Sequence, residues 1–338
     1  MREGLRQLRR AVLDGGIPAA APTTPVSGTA SNAALSASRA TAAGCRSCTL
    51  RGQVWKLFLG VWRVSASEYI KLVERGPCAV SPKIANDVFR TLATDVAFRA
   101  DVNDDLLTRV LNAFGWKMAS IPPRRLVNLK FSYVQGMNVL AAPLLYVMPE
   151  LDAFYTFVQF IQHTCPLYVQ PALEGVHCGL KLLDRCLAIL DPELHHYLKS
   201  KNLPVTLFAF PSVMTFSACT PPLSEVLQLW DLLLAYGVHL NIIAIVAQLH
   251  LIRDQILATP QPNRLLRQFP ELRATAVTEL TLTLLPRIPE DLYDLLVRHP
   301  FDPTVFDDIL PDDDPALAEL PSAVPPGLRP PSPPLAAM

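Results

Sequence analysis

Ser132-Tyr133-Val134-Gln135-Gly136-Met137-Asn138, followed by the apolar run from Val139 to Met148, is the stretch whose reading decides the fold. A glycine at 136 lets the backbone turn through a positive φ or approach a neighbour closely. Gln135 before it carries an uncharged amide that donates and accepts hydrogen bonds at once. Asn138 and the apolar residues after it read as a helix running into a core and stopped by Pro149. One amide is therefore presented at the mouth of a buried helix. A plain glycine turn with a solvated amide would look the same over these seven residues, so the rest of the chain has to decide what the amide does.

Working outward, helical periodicity recurs on both sides. Val54, Leu57 and Phe58 mark a helix that Gly60 ends, and Tyr69 to Glu74 continues as a short one. Ser81-Pro82 supplies a cap and a first-turn proline for a helix carrying Ile84, Asp87, Val88, Arg90 and Thr91. Asp104 caps the next, with Leu106, Leu107, Val110, Leu111 and Phe114 on its apolar side. Residues 115–130, which contain Pro122-Pro123 and several basic residues, read as a loop leading to Gln135. Downstream, helices are predicted at 152–163, 178–190, from Asp191-Pro192, at 223–236, 239–257, 263–268, 271–285 and 290–298, and Val205 to Cys219 reads as core helix. Neither a sustained period-2 alternation nor an Asn-Gly hairpin signal occurs, and no fixed-period repeat is present, so the expected fold is all-α and not a solenoid.

Composition sets the limits. The chain has 338 residues, half of them apolar and 18% charged, enough to bury a sizeable core. Thirty basic and thirty acidic residues cancel, which argues against nucleic acid as a partner. No apolar run is long enough to span a bilayer, and the charged segment from Arg2 to Asp14 lacks the apolar region of a secretory signal, so no membrane insertion is expected. Seven scattered cysteines in a chain of this size suit a reducing, cytoplasmic compartment. Cys45-Arg46-Ser47-Cys48 has metal or redox spacing without a second ligand pair, and no metal site is expected. Pro18 to Ala43 is built mostly of Ala, Ser, Thr and Pro and reads as a linker after a helical turn or two holding Leu5, Leu8, Val12 and Leu13. Asp302 to Asp314 is acidic, and ten of the 32 prolines fall between Pro303 and Pro334, which reads as an unpacked tail with polyproline character. The expected organisation is 1–48 (short helix plus linker), 49–300 (helical domain) and 301–338 (tail).

Nucleotide-binding, nucleophile-elbow and zinc-protease motifs are absent. What remains is an arginine and a glutamine at helix boundaries. Asp87 and Arg90 lie three residues apart, so their side chains can meet on one helix face; they form either a surface ion pair or a carboxylate holding a guanidinium for use on another molecule. Arginine plus glutamine has a specific use in phosphoryl transfer from GTP. The amide orients the attacking water, and the forked guanidinium stabilises charge developing on the phosphate oxygens. No titrating histidine or carboxylate pair is needed.

Ile84-x-x-Asp87-x-x-Arg90-Thr91 with Tyr133-x-Gln135-Gly136 resembles the motif pair of the TBC domain, the helical module that activates Rab-type and related small GTPases. Arg51-Gly52-x-x-Trp55 resembles its opening motif, and Trp230-Asp231-x-x-Leu234-x-x-Gly237 a segment late in its second half. The resemblance covers about residues 49–300. Within the family, Tyr133 to Pro149, Cys165 to Leu203 and Arg298-His299-Pro300 resemble the fungal checkpoint branch of the budding-uninhibited-by-benzimidazole type. The resemblance implies an arginine finger at Arg90 and a glutamine finger at Gln135. It implies supporting or GTPase-binding roles for Ile84, Asp87, Thr91, Tyr133, Gly136 and Asn138, and structural ones for Arg51, Trp55, Trp230 and Asp231. It also implies a Ras/Rab-superfamily GTPase as partner that itself holds GTP and Mg²⁺, so that the chain needs no cofactor and is a regulator, not an enzyme. Finally, it implies a second scaffold subunit, a location at the spindle pole body, and restraint of mitotic exit or septation. Three features depart from the family pattern: the long Pro18–Ala43 spacer, the long basic approach from Trp116 to Lys130, and Phe210-Pro211 where many members carry tryptophan. The rival expectation is a non-catalytic helical adaptor that binds a GTPase or scaffold; a purely structural helical protein is a third.

Overall fold

Two helices that are apolar all round set the architecture of the computed structural model, which describes residues 2–18, 47–120, 129–267 and 269–309. The first is α7 (Met137–Val147), where only Val139 and Tyr146 are partly exposed; the second is α14 (Leu240–Leu251), buried from Leu240 to Leu249. Such helices have no polar face to give to water and must be surrounded by others. Among the described residues every regular element is helical.

The first half of the chain encloses α7. It comprises α1 (Arg2–Gly15), α2 (Leu50–Phe58), α3 (Ala66–Glu74), α4 (Ser81–Val88), α5 (Val96–Asp101) and α6 (Asp104–Ala119), with α8 (Glu150–Gln159) following α7 and ending in a wide turn at Phe160–Thr164. Helices α4, α6, α8 and α2 all pack on or beside α7. The second half encloses α14 with α9 (Glu174–Leu190), α10 (Pro192–Ser200), α11 (Val205–Phe208), α12 (Phe210–Met214), α13 (Leu223–Tyr236), α15 (Arg253–Ala258), α16 (Pro262–Leu266), α17 (Ala274–Leu284), α18 (Glu290–Arg298) and α19 (Phe306–Ile309). Helix α13 joins the halves, touching α1, α2 and α7 on one side and α17 and α14 on the other. At the seam, the Trp230 ring lies 5.7 Å from Trp55 and 5.6 Å from Phe160.

Several sequence expectations are corrected. Residues 115–119 are not loop, because α6 continues to Ala119. Gly115 is there for close approach: a Cβ would stand 2.7 Å from Cys78 Sγ. Trp116 extends that contact by donating to the Gly76 carbonyl beneath the Arg75 guanidinium. The helix expected over 239–257 divides at Ile252. Val205 to Cys219 gives two short helices and then a turn with positive φ at Phe216 and Ser217, fixed by Trp230 Nε1 donating to the Phe216 carbonyl. The start of α6 is capped by Asn103, not Asp104, and α4 starts at Ser81 without a side-chain cap. The N-terminal turn or two is a full helix, α1, whose Val12 is buried against α13.

The acidic segment after Asp302 was expected to be unpacked, yet Pro303–Val305 and α19 bury Val305 and Ile309, with α19 packed on α9. Acidic composition hides this apolar pair, four residues apart and so on one helical face. The linker after Pro18, Cys45, the Pro122-Pro123 region and the Pro-rich tail from 310 lie outside the described residues.

Candidate functional site

The site is built where the end of α4 meets the start of α7. In α4, Ile84, Asp87 and Val88 fall on one face by their spacing and all three are buried. Beyond the last helical residue the chain makes two further turns, Arg90 N–H to the Asp87 carbonyl (3.3 Å) and Thr91 N–H to that of Val88 (3.0 Å). This brings Arg90 to the surface, its side chain 53% exposed, while Thr91 turns inward. On the facing strand of coil, Tyr133 is buried, Gln135 is exposed, and Gly136 takes φ +104 to cap α7. No L side chain adopts that φ comfortably, and a Cβ would stand 2.9 Å from Met214 Cε.

One hydrogen-bond network ties the two turns together. Asp87 is its centre. One carboxylate oxygen pairs with the Arg90 guanidinium; the other accepts from the Tyr133 hydroxyl at 2.7 Å. The Asp87 carbonyl accepts from the Thr91 hydroxyl at 2.9 Å and from the Asn138 amide at 3.4 Å. The same amide donates to Thr91 Oγ1 at 2.8 Å, and Asn138 Oδ1 accepts from the Gly136 N–H at 3.1 Å. Burial, and then the adjoining Asp87 carboxylate, raise the Tyr133 hydroxyl well above the usual phenol range, so it stays a donor. The outcome is a guanidinium gripped from behind by a buried carboxylate, beside a turn whose own N–H is satisfied from the same network. Gln135 has no hydrogen-bond partner among the described residues.

Arg51, Trp55, Trp230 and Asp231 form a separate cluster inside the seam. Arg51 donates to both oxygens of Asp231 (3.0 and 3.1 Å from Nε, 3.0 Å from Nη2) and to the Ile17 carbonyl, while Trp55 Nε1 donates to Asp231 Oδ1 at 2.8 Å. Burial pushes the Asp231 carboxyl up, and the Arg51 and Trp55 hydrogen bonds pull it back. This cluster fastens α2 to α13 and presents nothing to solvent that could act on a partner. Cys48, the described half of the Cys-x-x-Cys pair, has its thiol pushed up by partial burial. Among the described residues no three His, Cys, Asp or Glu side chains are placed to hold a metal, and no helix is long and apolar enough to cross a membrane.

Two residues at the site were not singled out from sequence. Phe89, beside Arg90, is 64% exposed, and Met214 packs against the Gly136 turn from α12. A signal for the second existed in the spacing Leu207, Phe210, Pro211, Met214.

The chain matches the Rab-GTPase-TBC domain over residues 48–257, and it belongs to that family. Among its relatives, Cell division control protein 16 of Schizosaccharomyces pombe is 46% identical over 253 residues, covering 75% of this chain and 81% of that protein. Mitotic check point protein BUB2 of Saccharomyces cerevisiae is 39% identical over 247 residues (72% and 81%), and the putative BUB2 of Dictyostelium discoideum 41% over 263 (77% and 69%). The crystal structure of the Ypt/Rab-GAP domain of Gyp1p superimposes with a TM-score of 0.58 at 16% identity, covering 70% of this chain and 87% of that one, a likeness of fold.

Proposed function

We propose that this protein accelerates GTP hydrolysis on a small GTPase of the Ras/Rab superfamily, supplying Arg90 and Gln135 in trans, and that this restrains mitotic exit or septation. The observation that carries the reading is the Asp87-centred network. It holds Arg90 by its inner edge and leaves Gln135 unpartnered at the surface. A guanidinium held this way keeps its outer N–H groups for the phosphate oxygens and loses little side-chain freedom on docking. The glutamine accepts a hydrogen bond from the attacking water and donates one toward the phosphate, so the water is oriented before charge develops. The partner GTPase supplies GTP and Mg²⁺. The family and the names of the three relatives support the cell-cycle setting. A second scaffold subunit and a location at the spindle pole body belong to the same reading.

The test is single-turnover GTP hydrolysis by a panel of small GTPases. Arg90→Ala and Gln135→Ala are each expected to abolish most of the stimulation while leaving the protein folded, because both side chains are exposed. An arginine finger is worth roughly 10³ to 10⁵ in rate, about 4 to 7 kcal/mol. An ion pair between a half-exposed arginine and its carboxylate is worth under about 1 kcal/mol and would touch stability alone. Arg90→Lys should fail as well, since an ammonium lacks the planar fork. Full stimulation by both alanine variants would leave the non-catalytic adaptor as the better reading.

A further inference from the structure

Between Leu203 and Ser224 the chain carries no Asp, Glu, Lys, Arg or His. Inside that stretch, α11 and α12 run almost end to end, the Ala209 N–H bonding to the Val205 carbonyl and the Val213 N–H to that of Ala209. Spacings of three and four therefore still share a face. Val205, Phe208, Ala209, Ser212 and Val213 point inward and are buried. Leu207, Phe210, Pro211 and Met214 occupy the other face: Leu207 is 66% exposed, Pro211 is exposed, and Phe210 and Met214 are half-buried. Phe210 and Met214 also pack inward, Phe210 edge-on to the His177 ring, and an apolar row anchored this way with its outer side exposed marks a surface that something covers.

Its position says what does. The row ends on the candidate site, because the Met214 thioether fills the space that a side chain at Gly136 would need, 2.9 Å from a Cβ there, directly beside Gln135. Phe89, next to Arg90 on the other turn, is also apolar and 64% exposed. Of all the large hydrophobic side chains at the described surface, only Val96, at 82%, is more exposed than these two. Phe89 thus adjoins Arg90 directly, and the row that starts at Leu207 runs through Phe210 to end at Met214, against the turn that carries Gln135.

Resting on the two-finger reading above, we infer that Leu207, Phe210 and Met214, with Phe89 on the opposite turn, form the docking surface for the same GTPase. The occupant is an apolar patch of the GTPase flanking its bound nucleotide. The row itself carries no ionisable group, so its contribution to binding comes from apolar burial. It acts equally in the ground and transition states and so sets affinity and partner choice, not the rate of the chemical step. The fingers would do the reverse. Phe210-Pro211, the departure from tryptophan noted in the sequence, lies in this row and gives it a shape of its own.

The experiment titrates the full chain against its GTPase in single-turnover hydrolysis, and separately measures equilibrium binding to the GTPase loaded with a non-hydrolysable GTP analogue. Leu207→Asp and Phe89→Asp are expected to raise the half-saturating concentration about tenfold or more each, with the maximal rate kept. Arg90→Ala should lose the maximal rate and keep its binding to the analogue-loaded GTPase. Because both apolar positions are mostly exposed, melting should be unchanged, which separates lost docking from lost fold. If both aspartate variants bind and saturate as the unmodified protein does while Arg90→Ala is inactive, the docking surface is wrong and the fingers stand. If Arg90→Ala is fully active while the aspartate variants bind weakly, the fingers are wrong and the docking surface stands. Light scattering that finds a dimer which Leu207→Asp dissociates, at unchanged GTPase affinity, would assign the row to a second copy of the chain and overturn the inference.

Discussion

Asp87 shows how much of the site depends on one side chain. It is 5% exposed, and both its oxygens and its carbonyl are engaged. The carboxylate would be costly to bury alone; Arg90, reaching in from the surface, donates to one oxygen, and the Tyr133 hydroxyl supplies the donor for the other. Tyr133→Phe removes that donor and nothing else in size. We expect a loss of about 1 to 3 kcal/mol in urea unfolding, the range for a buried hydrogen bond to a charged group. We also expect the maximal single-turnover rate to fall roughly 10- to 100-fold, because the guanidinium is no longer held in register. The half-saturating concentration should stay where it was. A variant that loses stability and keeps the full rate would show that the network supports the fold without positioning Arg90. The Asp87–Arg90 pair and the displayed Gln135 amide were legible in sequence through side-chain chemistry, and Tyr133 through its place in the family motif alone. The way Thr91 and Asn138 close the network was not, since it depends on a fold that brings residues 91 and 138 within 2.8 Å.

At the scale of elements, Arg51, Trp55, Trp230 and Asp231 join α2 to α13 at a seam that lies apart from the site. Arg51 is almost as buried as Asp231, their side chains 11% and 5% exposed, so each is tolerable only with the other. Asp231→Ala leaves a guanidinium in the seam with one carbonyl for company. The expected cost is about 3 to 5 kcal/mol, read as a lower urea midpoint, while the hydrolysis stimulated per folded molecule is unchanged. Normal stability would mean that water satisfies Arg51. Periodicity revealed the existence of most helices but not their ends. The breaks at Ile252 and after Met214 come from tertiary partners, such as Trp230 on the Phe216 carbonyl, which no local pattern carries. Helix α6 outruns its expected end because Pro122-Pro123 and the basic residues mark 115–130 as loop, while Gly115 itself serves helix packing.

On the scale of the molecule, Arg298-His299-Pro300 closes the second half, and each residue does so differently. Arg298 lies at the surface between Asp294 and Asp302, and the Pro300 carbonyl accepts from the Leu167 N–H. His299 is wholly buried: its Nδ1–H donates to the Leu296 carbonyl at 2.6 Å, and Nε2 accepts from the Tyr168 hydroxyl at 2.7 Å. Burial lowers its pKa to about 3, and likewise lowers that of His239, beside Tyr293, to about 4. Both are neutral when folded at any pH above 5. In the unfolded chain each titrates near 6.5. Below that value the unfolded state binds more protons, so stability is complete above about pH 7 and falls as the pH drops toward 4. Together the two histidines should remove about 4 kcal/mol between pH 7 and pH 5, a large share of the roughly 5 to 15 kcal/mol typical of a domain. His239→Gln replaces the ring with an amide that does not titrate. It is expected to be less stable at pH 7, yet to lose stability only about half as steeply on acidification, as followed by urea midpoints at half-unit intervals of pH. An unchanged slope would mean that His239 takes up its proton without unfolding, and that the acid sensitivity of the fold resides elsewhere.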